Sequence, residues 1–85
     1  MQTNIFSHQH TLIVAVDSRH DLNPLADFID NWPGFCVVET RWNRSAAQGS
    51  IIVERESIAN QGKLQVKTLK ECIMRYEQRR KTTDL

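Results

Sequence analysis

Apolar residues gather in a few short stretches of this chain, and their spacing changes from one stretch to the next. Residues 11–18, Thr-Leu-Ile-Val-Ala-Val-Asp-Ser, form a continuous run rich in β-branched side chains. Such a run predicts a strand buried on both faces. Leu25, Phe28, Ile29 and Trp32 then recur at i, i+3, i+4 and i+7, which gives one apolar helix face. Asn23 suits the N-cap of that helix and Pro24 its first position. Pro33-Gly34 ends it.

Residues 35–42 and 50–56 predict two more strands, joined by a polar loop with one glycine. A connection this short predicts antiparallel pairing. The first helix can serve as a crossover, which would make the strands on either side of it parallel. Lys63, Leu64, Gln65, Val66 and Lys67 alternate polar and apolar, as in a short fourth strand. Thr68 with Glu71 is a capping box, and it opens a helix over 69–81. One longer helix from residue 62 is the alternative. Leu69, Cys72, Ile73 and Tyr76 form the last helix's apolar stripe.

The fold class predicted is α+β: one small domain over residues 1–85, ordered β-α-β-β-(β)-α. Its mixed sheet has three to four strands, and two helices pack on one face. Phe28, Trp32, Val14, Val16, Val37 and Ile52 populate the predicted core. Residues 1–10 and 82–85 are expected as flexible ends.

Composition changes this picture little. Eighty-five residues, 40% of them hydrophobic and 25% charged, suit one soluble globular domain. No apolar run reaches membrane-spanning length. The start lacks the basic region and apolar core of a signal peptide, so the expected location is the cytoplasm. Cys36 and Cys72 both lie in apolar segments and are expected as buried thiols rather than a bridge. His8, His10 and His20 make no zinc spacing with them. Neither a metal nor a cofactor is expected.

Charge is unevenly placed. Residues 1–60 hold four Lys/Arg against seven Asp/Glu, and residues 61–85 hold seven against three. A basic end on an acidic chain suits either a partner-binding element or an ordinary solvated helix face.

Val16-Asp17-Ser18-Arg19-His20 and Glu54-Arg55-Glu56-Ser57-Ile58-Ala59-Asn60 resemble the two motifs of the XPF-type nuclease domain. That family carries V-D-x-R-E at the end of one strand and E-R-K-x-x-x-D on a later one, with a G-D between. The resemblance implies a nuclease-type fold and a divalent-metal site built on Asp17 and Glu54. The other functional positions are changed: His20 replaces a glutamate, Glu56 the lysine and Asn60 the last aspartate, and the G-D is missing. Carboxylates hold the metal in such sites, so this set implies a relative without catalysis. Both motifs are short, and short motifs recur in unrelated chains. On its own residues, Asp17 reads as an acceptor for backbone N–H groups at the turn it opens.

No phosphate-binding loop, nucleophile elbow or other catalytic signature is present. The expected function is therefore non-enzymatic, a small binding or regulatory protein. Two surfaces are candidates. Arg41, Trp42 and Arg44 could join Lys70, Arg75, Arg79, Arg80 and Lys81 of the last helix in contacting nucleic acid, through phosphates and a stacking ring. For this they must lie on one side, and the net charge of +1 is low for such a binder. The alternative is an adaptor or inhibitor that binds a protein target. It would use Trp42, Met74 and Arg75, or a sheet edge that could equally pair a second copy.

Overall fold

The computed structural model describes residues 1–8, 11–55 and 62–83, without the side chains of 55, 62–65 and 81–83. Its elements run β1 (Thr3–His8), β2 (Thr11–Val16), α1 (Arg19–Asp30), β3 (Phe35–Asn43), β4 (Gln48–Arg55) and α2 (Gly62–Thr83). The four strands form one sheet in the order β1-β2-β4-β3. Every neighbouring pair is antiparallel.

The α+β class and the two helices are as expected, and three details differ. The fourth strand is β1, within the end expected to be flexible. Asp17 holds it there: its Oδ1 accepts the Gln2 N–H at 2.7 Å, and its own N–H donates to the Gln2 carbonyl at 3.3 Å. Residues 62–68 are the first turns of α2 rather than a strand, because Val66 and Leu69 continue the helical stripe. Third, the sheet is antiparallel rather than mixed. β2 and β3 do run in the same direction across α1, but β4 lies between them.

The N-cap of helix α1 lies five residues before the expected one, at Ser18 rather than Asn23, and Pro24 is inside the helix. Pro24 and His20 are both exposed. Water can therefore reach the carbonyl that the missing proline N–H would have bonded. Leu22, Leu25, Ala26 and Ile29 pack inward. Gly34, at φ 93°, turns the chain into β3 in a conformation glycine adopts without strain.

The core lies between the helices and one face of the sheet. Side chains alternate across a strand, so Leu12, Val14 and Val16 of β2 and Ile51 and Val53 of β4 face the helices, all fully buried. Leu69, Cys72 and Ile73 of α2 close the cluster. Phe28, Trp32 and Val37 pack at its margin. Ile52 lies outside this core, because the same alternation turns it to the other face. The Cα trace is 17 Å deep in its shortest dimension, the depth of one sheet and one helix layer. Among the described residues, no helix is long and apolar enough to cross a membrane.

Candidate binding surface

The face of the sheet turned away from the helices is set by register. Asn4, Phe6 and His8 of β1 lie there opposite Ala15, Ile13 and Thr11 of β2. Those in turn lie opposite Ser50, Ile52 and Glu54 of β4. The middle row, Phe6–Ile13–Ile52, is apolar across three strands. Phe6 is 56% exposed, and Ile13 and Ile52 are half-buried by their neighbours on the sheet. No described element covers this row.

Strand β3 completes the face through a bulge. Val37 pairs with Val53, yet Glu39 pairs with Ile52, so Val38 is an extra residue. The bulge reverses which residues face the helices. Phe35 and Val37 do so before it, and Thr40 and Trp42 after it. Without the extra residue, Trp42 would stand on the open face and Arg41 in the core. Instead Trp42 pairs with Gly49 and packs against the core cluster. A Cβ on Gly49 would lie 2.9 Å from Leu22 Cδ1 and 3.0 Å from Trp42 Cε3. The glycine makes room for both side chains.

This geometry separates the residues expected to form a nucleic-acid surface. Arg41 is on the open face, paired with Glu39 at 3.0 Å. Arg44 is exposed in the turn after β3. Trp42 faces the helix side, where it is half-buried against the core cluster. Lys70, Arg75, Arg79 and Arg80 lie on α2, across the sheet from Arg41. Arg75 contacts Glu71 at 3.5 Å and lies 6.0 Å from the Trp32 ring centre. Arg80 donates to Asp21 at 2.8 Å. The Lys81 side chain lies outside the described residues. The loop and the helix therefore do not join through Arg41 and Trp42 into one basic patch.

Asp21 is the residue that sequence reasoning passed over. It is the buried charged side chain among the described residues, 3% exposed. Its carboxylate accepts from the Tyr76 hydroxyl at 2.9 Å and from Arg80. Tyr76 also meets Phe28 edge-on, with centroids 5.8 Å apart. This knot fixes the start of α1 to the end of α2. Burial, then the bond to Asp21, push the Tyr76 hydroxyl up to about 12. Burial alone pushes the Cys72 thiol up to about 12. Cys36 is exposed, against expectation, because its register with Glu54 puts it on the open face.

The two nuclease-like carboxylates stand at opposite ends of the sheet. Glu54 pairs with Thr11, and from Thr11 to Asp17 the extended chain runs roughly 20 Å. They do not share a metal-holding position. Glu56 to Asn60 of the second motif lie outside the described residues. Among the described residues, no three His, Cys, Asp or Glu side chains come together as a metal-holding group. No family model matches the chain, and no curated protein or solved structure matches it closely enough to show kinship.

Proposed function

We propose that this chain is a non-catalytic binding domain that engages a protein target, as an adaptor or inhibitor, through the open face of its sheet. One observation carries the reading. Strand β2 is apolar at nearly every position, the composition of a strand covered on both sides, and among the described residues only its helix side is covered. Ile13 forms the centre of a row between Phe6 and Ile52 that no described element covers. A contiguous apolar row on a sheet face suits an interaction site. Its neighbours Glu39, Arg41, Glu54 and His8 form a polar rim, the usual anatomy of a protein interface.

The test uses Ile13→Asp, placed at the centre of the row. The tagged chain and this variant are used for capture from the host cell, after circular dichroism shows that both are folded. The expected result is a stoichiometric protein partner that survives high salt and is lost with Ile13→Asp. Binding to labelled DNA or RNA that falls steeply with salt and persists in Ile13→Asp would overturn the proposal in favour of nucleic acid.

A further inference from the structure

We infer that two copies of this chain pair through the outer edge of β1, with their α2 helices antiparallel across the same axis. This inference does not rest on the open-face reading. It begins from the unlike edges of the sheet. The outer edge of β3 carries a bulge and the charged residues Glu39 and Arg41, devices that keep an edge from pairing. Strand β1, Thr-Asn-Ile-Phe-Ser-His, has neither bulge, proline, lysine nor carboxylate.

Its backbone is set for pairing. The Asp17 N–H donates to the Gln2 carbonyl, so Gln2 and Asp17 form a hydrogen-bonded pair. Alternation along the antiparallel ladder then turns Asn4 and Phe6 inward to β2. Thr3 and Ile5 present their N–H and C=O groups outward. A twofold axis through Asn4 sets Thr3 opposite Ile5 of the second copy, and Ile5 opposite its Thr3. Four N–H···O=C bonds result.

The helix beside this edge has the matching symmetry. A groove of about 480 Å³ runs between β1 and α2, lined by Thr3, Asn4 and Ile5 and by Lys70, Met74 and Glu77. The three helix residues follow i, i+4, i+7 spacing and so share one flank. Met74 is 57% exposed there. Lys70 and Glu77 lie equally far on either side of the Ile73–Met74 step. When α2 meets an antiparallel copy about that step, Lys70 faces Glu77 of the second copy, and the reverse pair forms too. Met74 then covers its counterpart. The strand centre and the helix centre line the same groove, so one axis satisfies both. Such self-complementarity is what an isologous dimer requires, and strand addition is an established mode of protein recognition. The product is an eight-stranded sheet with two Phe6–Ile13–Ile52 rows on one surface.

Sedimentation velocity across a concentration series tests this on the full chain. The wild type is expected to dimerise as concentration rises. Lys70→Glu and Glu77→Lys each place like charges together and are expected to weaken the dimer about 10-fold or more. The double variant restores it. A covalent readout locates the axis. In a Cys36→Ser background, Asn4→Cys faces itself across a non-hydrogen-bonded pair, where Cα atoms approach to about 4.5 Å, within disulfide reach. It is expected to form an interchain disulfide under mild oxidation. Phe6→Cys, on the same strand and face but opposite Gln2 of the second copy, is expected to stay reduced. All five substituted positions are solvent-facing or at the rim of the groove, so the fold should persist, which circular dichroism checks. A wild type that stays monomeric at hundreds of micromolar overturns the inference. So does a dimer indifferent to both charge changes that cross-links equally at positions 4 and 6.

Discussion

Strand β2 shows two environments within six residues. Leu12, Val14 and Val16 are fully buried under the helices. Ile13, between the first two, looks out from the opposite face and is only half-buried. The side chains differ little in hydrophobicity, but their surroundings differ greatly. An antiparallel sheet with one wet face normally alternates apolar and polar residues. This central strand does not alternate, so its outer face has the composition of a covered surface, and no described element covers it. The helix side is a completed core, and the open side is the surface proposed to receive a partner.

The chain carries its own pair of probes for this difference. Cys36 lies on the open face and is exposed, whereas Cys72 is buried beneath α2. A thiol reagent should label Cys36 in the native state. Cys72 should wait for unfolding, because the reactive species is the thiolate and burial lifts this thiol up to about 12. With a stability of about 5 kcal/mol, the two rates would differ by about 1000-fold or more. Rates within tenfold would mean that α2 opens locally, and the contrast between the faces would fail. A protein bound to the open face should protect Cys36 and leave Cys72 unchanged.

Adjacent truncations sharpen the same contrast. Leu12→Ala should cost about 3 kcal/mol, since it leaves a cavity under the helices. Ile13→Ala should cost about 1 kcal/mol, because water already reaches that side chain. Urea denaturation measures both. Equal losses would show that the open face is covered within the monomer.

Periodicity made the covered side readable in advance. The helix stripes at Leu25 and Ile29 and at Leu69, Cys72 and Ile73 are set by the 3.6-residue turn, and they pack as that spacing predicts. What determines the open side is less visible. β1 has only Ile5 and Phe6 as large apolar residues, and its place depends on pairing with β2 and on the Asp17 bonds, which are long-range. The bulge at Val38 moves Trp42 to the core side and Arg41 to the surface. Its trace in the sequence is the step from Val37 to Thr40 between core-facing positions, where a regular strand would step by two. Ile52 shows the sensitivity of such readings, since one residue of parity separates the core from the open face. The Asp21 knot joins residues 55 and 59 positions apart, a separation beyond any local pattern.

That knot gives the smallest contrast, between two ion pairs. Asp21–Arg80 has its carboxylate buried, whereas Glu39 and Arg41 are 43% and 71% exposed. Removing Asp21 breaks a bond from a charged donor and one from a hydroxyl. Asp21→Ala should therefore cost about 2 kcal/mol. Glu39→Ala should cost less than about 0.5 kcal/mol, as exposed pairs do. Tyr76→Phe should cost about 1 kcal/mol at neutral pH, from the lost hydrogen bond. Alkaline titration then separates the hydroxyl from the ring. The folded-state values of Tyr76 and Cys72 are raised from 10.0 and 9.0 to about 12, so the unfolded chain releases these protons first. Their contribution is complete below about pH 9 and is lost as the pH climbs to about 12. The denaturation midpoint should fall through that window, and less steeply in Tyr76→Phe, which keeps only the cysteine's share. An unchanged slope in Tyr76→Phe would mean that the hydroxyl is not held against Asp21, and that ring packing against Phe28 joins the helices there.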